Sequence, residues 1–544
     1  MRKFILLSSF ILFAVVNSFA CTNLLVGKSA STDGSTMITY SADSYALYGE
    51  LYHWPAKKYQ KGEMLKVYEW DTGKYMGEIK QVSETYNVIG NMNEHQLAIA
   101  ETTFGGREEL SDPDGVMDYG SLIYITLQRA KTAREALKIM TDLVAEYGYY
   151  SSGESFSIAD PNEIWVLEMI GKGKGRKGAV WVAARIPDDC ISAHANQSRI
   201  HQFPLNDPNN YIYSKDVISF AKEKGYYTGR DEGFSFSKAY NPLDFGGQRF
   251  CEARVWSFFN RFNKDMAHFV SYAKGETKDP MPLYIKPDKK LSFTDVKEMM
   301  RDHYEGTELD WRFDIGAGPF ESPYRWAPLE WEVDSVKYCN ERPIATQQTG
   351  FTFVAQMRSW LPDVIGGILW FGMDDAANTV YTPMYTSMTN VPECYRVGNG
   401  DLYTFSWTSA FWIHNWVANM VYTKYNYMHE DVKKVQQELE NSFLQIQPDI
   451  EREALIKYNN SKDECIAYLT NYSIEQAQLS FDRWKKLGEF LLIKYMDGVV
   501  RKEENGKFLR NEHGGTESPN RVGYPKSFYK KIIDETGDKY KVIE

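Results

Sequence analysis

The sequence predicts an α+β fold with antiparallel sheets, because its strand-like and helical segments are grouped along the chain. Apolar, strand-like segments joined by tight turns occur near the start of the chain and again before residue 200. Two amphipathic helical segments lie between these sets of strands, and a mainly helical region follows residue 430. Strands and helices segregated in this way, rather than alternating, are typical of layered α+β proteins.

The first element is a predicted β-hairpin built around an Asp-Gly turn, which is a strong hairpin signal. Its strands are Thr22–Lys28 and Thr36–Ser41, with the turn at residues 31–35. If the turn centres there, Cys21 lies opposite residues 43–46, and the Asp43 carboxylate lies beside it. The ordinary alternative is that Asp43 only caps or turns the chain.

The middle of the chain continues with a strand, the two helices and four more strands. Thr132 and Glu135 have capping-box spacing at the start of the second helix, and Asp160-Pro161-Asn162 marks a tight turn. The predicted strands are Ala98–Thr103, Phe156–Ala159, Glu163–Ile170, Ala179–Ile186 and Ile191–Ala195, and the predicted helices are Tyr119–Arg129 and Ala133–Tyr147.

The chain divides into three predicted regions. Residues 1–20 are predicted to be a signal peptide, residues 21–430 the main domain, and residues 431–544 a mainly helical extension packed on that domain. Beyond the signal no stretch is long and apolar enough to span a bilayer. The nearest one, Leu402–Tyr422, is interrupted by polar residues and is predicted to be a buried helix.

The N-terminal region predicts export and processing. Residues 1–20 have a basic start, an apolar run, and small residues at Ser18 and Ala20, the positions that signal peptidase reads before a cut. Cleavage there would leave Cys21 with a free α-amino group beside its own thiol. We therefore expect an exported protein, periplasmic or extracellular, whose first residue is a nucleophile with a built-in base.

Cys21 has two other interpretations. A lipoprotein signal also ends before a cysteine, but it favours a branched apolar residue where this chain has Ser18, and a polar tether where this chain begins a strand. Lipidation would block both the thiol and the amine, so it excludes the nucleophile hypothesis. In the remaining interpretation Cys21 is an ordinary thiol.

Composition excludes several classes of partner. Removing residues 1–20 takes away two basic residues and no acidic one, so the net charge of −11 would become −13. A dispersed acidic balance disfavours nucleic acid and anionic membranes as main partners. The five remaining cysteines allow at most two disulfides, and they show no zinc-site spacing. We expect no metal and no cofactor.

Short motifs for other chemistries carry little weight. The GxGxxG match at residues 173–178 precedes a strand rather than a helix, so a basic hairpin loop is the better interpretation. HExxH, GxSxG and Walker A patterns do not occur, and the SxxK match at Ser527 and Lys530 is short.

Longer segments carry a specific resemblance. They are CTNLLVGKSASTDGSTMITYSADS at residues 21–44, GNMNEHQLAIAETTF at 90–104, FSIADPNEIWVLE at 156–168, SAHANQSRI at 192–200, CEARVW at 251–256, GPFESPYRW at 318–326 and PDVIGGILWFGMDDAANTVYTPMY at 362–385. In this order they resemble bacterial cysteine dipeptidases of the dipeptidase A type, which are N-terminal-nucleophile hydrolases related to penicillin and bile-salt amide hydrolases. The resemblance implies a four-layer αββα sandwich with the nucleophile at the start of a central strand.

The resemblance also implies roles for individual residues. Cys21 would be the nucleophile, Asp43 would hold its α-amine, Asn196 would donate to the oxyanion, and Arg254 would stabilise the charged site and the ionised thiol. Without the resemblance, an arginine on a predicted helix at Phe250–Phe262 is usually a surface ion pair.

Two departures from the family pattern affect this scheme. Relatives commonly have an arginine three residues before the aspartate, where this chain has Tyr40; Arg199 or Arg254 would then have to supply that charge. Thr103 occupies the position comparable to a second oxyanion donor, an asparagine in the amide hydrolases. Thr103 is expected to donate through its hydroxyl or its backbone.

The resulting hypothesis is an exported cysteine dipeptidase that hydrolyses short peptides through a thioester intermediate, with no membrane anchor. One alternative is an amide hydrolase of the same fold acting on N-acyl amino acids or bile-salt-like conjugates. The other is a surface binding lipoprotein diacylated at Cys21. Side-chain specificity and oligomeric state stay open.

Overall fold

The structure is a computed structural model that describes residues 21–543. The predicted signal peptide lies outside the described residues. Strands dominate the chain to residue 213 and recur near 349–385, whereas helices dominate from residue 410 to 495. The α+β prediction is confirmed.

Two antiparallel sheets form the centre of the molecule. Sheet A has its strands in the order Tyr284–Ile285, Ile191–His194, Asn23–Val26, Thr36–Asp43, Thr349–Met357, Ile368–Met373 and Thr382–Tyr385. Sheet B has the order Tyr211–Tyr213, Ala179–Ile186, Ile164–Gly171, Gly153–Ala159, Ala98–Gly105, Met92–Asn93, Val88–Ile89 and His53–Trp54.

The two sheets pack face to face through their central strands, and helices cover their outer faces. Strands Asn23–Val26 and Thr36–Asp43 of sheet A are buried at every residue, and both contact strands of sheet B. Helices Tyr119–Leu127 and Ala133–Tyr147 pack on sheet B, and Ala253–Phe262 packs beside the strand Ile191–His194.

Three helices form most of the C-terminal region. They are Ala410–Val421, Tyr425–Asn460 and Lys462–Tyr495, and all three contact sheet A. The helical region therefore begins before the predicted residue 431, and Ser461, whose side chain accepts from the Glu464 N–H, separates the two long helices. No helix within residues 21–543 combines the length and apolar character that a membrane span needs.

Shorter elements complete the fold. The remaining α-helices within residues 21–543 are Val217–Glu223, Phe236–Tyr240, Val270–Ala273, Phe293–Met299, Asp363–Gly366 and Lys526–Thr536. Four small two-stranded sheets pair Lys57–Lys58 with Glu84–Thr85, Met64–Tyr68 with Tyr75–Lys80, Glu330–Val333 with Val336–Cys339, and Glu503–Glu504 with Lys507–Phe508 within the described residues.

The first hairpin forms, but its register differs from the prediction. Thr22 pairs with Ser41 and Leu25 with Ile38, which sets Cys21 opposite Ala42 rather than residues 43–46. The first strand ends at Val26, earlier than expected, because residues 27–32 bond to other parts of the chain, for example from the Ser29 N–H to the Asp188 carbonyl, whereas the second strand extends two residues further, to Asp43. Asp43 is consequently one position beyond direct pairing with Cys21.

Candidate active site

Cys21 lies two residues before the central strand Asn23–Val26 of sheet A. Its side chain is 4% exposed and lines a cleft that is bordered by both sheets and by the helix Tyr119–Leu127. We call this the Cys21 cleft. Its lining includes Cys21, Tyr40, Asp43, Tyr52, Trp54, Trp70, Asp71, Glu101, Tyr119 and Tyr124.

Asp43 ends the neighbouring strand and lines the same cleft. Its Oδ2 atom lies 2.7 Å from Arg342 Nη2 and accepts from the Ser41 hydroxyl at 3.0 Å. Its Oδ1 atom accepts from the Thr349 hydroxyl at 2.6 Å. A buried carboxylate that is paired with a guanidinium and bonded on both oxygens is held in one orientation beside Cys21.

Tyr40 and Glu101 approach the thiol from the two sheets. The Cys21 Sγ atom lies 3.6 Å from the Tyr40 hydroxyl and 3.5 Å from Glu101 Oε1. The Tyr40 hydroxyl in turn donates to Glu101 Oε1 at 2.5 Å. The position at which the family commonly has an arginine thus provides a phenol that is bonded to a carboxylate.

Arg254 is buried rather than a surface residue. Its guanidinium donates to the Cys21 carbonyl at 2.6 Å, to the Thr22 hydroxyl at 2.7 Å and to Asn196 Oδ1 at 3.0 Å. Burial and the nearby Arg342 lower the pKa of Arg254 to about 10, so it stays protonated at neutral pH. Arg254 therefore holds the backbone of Cys21, and its bond to this residue goes to the carbonyl oxygen rather than to the sulfur.

Asn196 and Thr103 continue this hydrogen-bonded chain. Asn196 follows strand Ile191–His194 with a left-handed φ of 65°, a conformation that asparagine tolerates, and its Nδ2 donates to the Thr103 carbonyl at 2.8 Å. The Thr103 hydroxyl donates to Glu154 Oε1 at 2.8 Å. The predicted oxyanion donor is thus fixed between Arg254 and Thr103.

Arg199 has a different environment from the other candidate residues. Its Nε donates to Glu252 Oε1 at 2.8 Å, and its Nη atoms donate to the carbonyls of Ala193, Pro282 and Leu283. These bonds join the strand Ile191–His194 to the segment before Tyr284. The structure brings Cys21, Tyr40 and Asp43 together, links Asn196, Thr103 and Arg254 to them, and leaves Arg199 in a separate network.

The electrostatic environment raises the pKa of the Cys21 thiol well above its ordinary value. Burial is the largest cause, and the negative charges of Glu101 and Asp43 add to it. A thiol in this setting keeps its proton until a base removes it. The site therefore favours the protonated thiol over the thiolate.

Aromatic side chains form the far wall of the Cys21 cleft. Trp54 stacks on Tyr124 with ring centroids 4.9 Å apart, and Tyr52 lies 4.8 Å from Trp70. Asp71 beside this wall accepts from the Tyr119 hydroxyl at 2.9 Å, and burial is the main reason that the pKa of Asp71 is raised to about 7. The cleft joins an apolar wall to several acidic groups.

Sequence reasoning missed Glu101, Glu154 and Arg342. Glu101 had a visible signal, because it is a single carboxylate inside the apolar run of strand Ala98–Gly105. Arg342 had none, since it belongs to an irregular segment and pairs with Asp43 from 299 residues away in the chain.

The other cysteines are neither paired nor grouped. All six cysteines have free thiols in residues 21–543, so neither of the two disulfides that the sequence allows is formed. In the same residues no group of three or more His, Cys, Asp or Glu side chains is arranged to hold a metal ion.

Known proteins resemble this chain over most of its length. The model of peptidase family C69 matches residues 20–52 and 49–438. The chain is 27% identical to a probable dipeptidase of Latilactobacillus sakei over 75% of this chain and 82% of that protein. It is 29% identical to a probable dipeptidase of Salmonella dublin over 68% of this chain and 81% of that protein.

Dipeptidase A of Lactobacillus helveticus is 25% identical over 78% of this chain and 85% of that protein. The family match covers both sheets, the Cys21 cleft and every candidate site residue. It confirms the resemblance that the sequence segments carry. This chain belongs to peptidase family C69.

Proposed function

We propose that this protein is an exported cysteine dipeptidase that hydrolyses short peptides with the processed Cys21 as nucleophile. The observation that carries the proposal is the position of Cys21 in the cleft, with Asp43 beside it and Arg254 bonded to its carbonyl oxygen. The dipeptidases that resemble the chain support peptides as the substrates.

In the proposed mechanism the Cys21 α-amine is the base. Burial and the nearby carboxylates raise the pKa of the Cys21 thiol well above its ordinary value, so the thiol keeps its proton until attack, whereas an α-amine has an ordinary pKa of about 7.7–8.0. The amine takes the thiol proton as sulfur bonds to the scissile carbonyl carbon, and the carbonyl electron pair moves onto oxygen. When that pair returns, the C–N bond breaks, and the proton passes to the leaving amine. Water, deprotonated by the same amine, then hydrolyses the thioester.

The other candidate residues act by positioning and charge. Asp43, held by Arg342, orients the α-ammonium of Cys21, and Asn196, held by Arg254, donates to the oxyanion. The two facing sheets with helices on their outer faces support the four-layer αββα arrangement of N-terminal-nucleophile hydrolases. In this scheme removal of residues 1–20 is the activating step.

The first test is the mass of the exported protein together with the activity of Cys21→Ala. Loss of residues 1–20 alone is expected, and Cys21→Ala should be folded and exported yet hydrolyse no dipeptide. Cys190→Ala removes another buried free thiol, outside the cleft, and should retain full activity. Dipeptide hydrolysis by Cys21→Ala would overturn the mechanism.

The same protein samples distinguish the dipeptidase from the two alternative functions, a lipoprotein and an amide hydrolase. Added lipid mass on Cys21 would identify a lipoprotein instead of an enzyme with a free N-terminus. Faster release from N-acyl amino acids than from dipeptides would identify an amide hydrolase. A form that begins Met-Cys and retains the methionine should be inactive, because its Cys21 nitrogen is an amide.

A further inference from the structure

The geometry of a dipeptide fixes where its ammonium group must lie during attack. The α-nitrogen and the scissile carbonyl carbon share one Cα, so standard bond lengths place them about 2.5 Å apart. The attacking atom approaches the same carbon from about 3–3.5 Å. A dipeptide therefore brings a positive charge within a few ångströms of the nucleophilic sulfur, and the protein must supply an acceptor there.

Glu101 occupies that location. Its Oε1 atom lies 3.5 Å from Cys21 Sγ, and its side chain lines the Cys21 cleft from sheet B, across from the strand Asn23–Val26 that follows Cys21. Glu101 is 1% exposed, so water does little to offset its charge.

No side chain in residues 21–543 neutralises Glu101. Its Oε1 atom accepts from the Tyr40 hydroxyl and the Cys21 thiol, and its Oε2 atom is buried without a donor, as is Glu154 Oε2. Burial raises the pKa of both carboxyl groups, and that of Glu154 lies well above its ordinary value because Glu101 is beside it. The two carboxyl groups interact directly through their side chains, so one proton held by Glu154 would leave the pair with one negative charge.

Asp43 differs from Glu101 because Arg342 already pairs with it. The uncompensated charge next to the nucleophile is therefore that of Glu101. We propose that Glu101 binds the α-ammonium group of the substrate and thereby selects peptides whose scissile bond follows a free N-terminal residue. This assignment rests on the proposed function, in which Cys21 is the nucleophile.

The consequence is discrimination against acyl compounds. A substrate without an amine leaves Glu101 buried and unpaired, and sites built to bind a polar group reject analogues that lack it by large factors. We expect wild-type kcat/KM to be at least about 100-fold higher for Ala-Ala than for propionyl-Ala, which has the same shape without the nitrogen.

Glu101→Gln tests the assignment. The variant should reduce the preference for Ala-Ala over propionyl-Ala to within about tenfold, mainly by losing Ala-Ala hydrolysis. Asp71→Asn is the matched control, because Asp71 lines the same cleft but bonds Tyr119; it should keep the wild-type preference. If propionyl-Ala hydrolysis is below detection, propionyl-Ala is tested as an inhibitor of Ala-Ala hydrolysis. The ratio of its inhibition constant to the KM for Ala-Ala then replaces the ratio of the two kcat/KM values.

The result that would overturn the assignment is an unchanged preference. Glu101→Gln would then slow both substrates by one factor, as expected if Glu101 serves only the α-ammonium of Cys21. Cys21→Ala distinguishes this outcome from failure of the proposed function. If Cys21→Ala is active, the nucleophile hypothesis is wrong. If Cys21→Ala is inactive and Glu101→Gln keeps the wild-type preference, only the role of Glu101 is wrong.

A measurement on the wild-type protein is independent of how the variant folds. Alaninamide carries the ammonium group and propionamide lacks it. Alaninamide should protect Cys21 from iodoacetamide at concentrations at least about tenfold lower than propionamide does. Equal protection by the two compounds would contradict ammonium binding beside the thiol.

Discussion

Glu440 and Glu101 are both 1% exposed, yet the protein surrounds them differently. Glu440, on the helix Tyr425–Asn460, is bonded by Arg301 at 2.5 Å, by Lys297 at 2.8 Å and by the Tyr381 N–H at 3.0 Å. Glu101 has a phenol, a thiol and a second carboxyl group as neighbours. Glu440, which serves the fold, is matched with two cations, whereas Glu101 in the cleft has no cationic side chain bonded to it.

The largest expected effect is a loss of stability when the buried cations Arg301 and Lys297 lose the charge of Glu440. Glu440→Gln leaves Arg301 and Lys297 buried with one acidic partner fewer, which should lower the free energy of unfolding by about 3–5 kcal/mol, measured in urea. The folded variant should keep its kcat/KM, because Glu440 does not line the Cys21 cleft.

Glu438→Gln on the same helix is the control. Glu438 pairs with Arg483 at the surface, and an exposed pair contributes about 0–1 kcal/mol. Equal losses of stability in the two variants would contradict the claim that the buried cations depend on Glu440 for their balance of charge.

The second effect is a dependence of the unfolding free energy on pH. It has opposite signs for a carboxyl group whose pKa is raised, Glu154, and for one whose pKa is lowered, Glu163. Burial and Glu101 raise the pKa of Glu154 in the folded protein, so its contribution to stability is complete below the unfolded pKa of about 4.3 and declines as pH rises towards the folded value. Glu154→Gln stays neutral at every pH. It should therefore flatten the fall in unfolding free energy above about pH 5, a fall of up to about 1.4 kcal/mol per pH unit for one proton.

Glu163 supplies the comparison of opposite sign. Arg134 and Trp165 lower the pKa of Glu163 against the effect of burial, so its contribution is present above the unfolded pKa and is lost as pH falls. Glu163→Gln should leave the slope above pH 5 unchanged. The same slope in wild type and in Glu154→Gln would show that the pair with Glu101 holds no extra proton.

Local signals predicted the fold near the site and failed at long range. The Asp-Gly turn predicted the hairpin that sets Asp43 near Cys21, and Thr132 does accept from the Glu135 N–H at the start of its helix. The register was wrong because residues 27–32 bond to distant carbonyls, which no local pattern reveals.

The site divides in the same way. Cys21 was predicted from a cleavage pattern beside it in sequence, whereas Arg342 reaches Asp43 through the packing of an irregular segment. Glu101 was open to prediction as a charge in an apolar strand, but its partner Tyr40 was interpreted only as a missing arginine. Long-range charge pairing is set by tertiary packing, which sequence patterns of one element do not encode.

The smallest effect concerns the phenol that links the two sheets. Tyr40→Phe removes the donor to Glu101 Oε1 and the hydroxyl near Cys21 Sγ, and a hydrogen bond to a charged group contributes about 1.5–3 kcal/mol. Because the bond with Tyr40 lowers the pKa of the thiol against burial and the nearby acids, alkylation of Cys21 by iodoacetamide should shift to higher pH in the variant. Tyr381→Phe, which removes a buried hydroxyl bonded to Thr352, should cost stability without that shift. Identical alkylation profiles in both variants would show that Tyr40 stabilises the sheets and does not influence the Cys21 thiol.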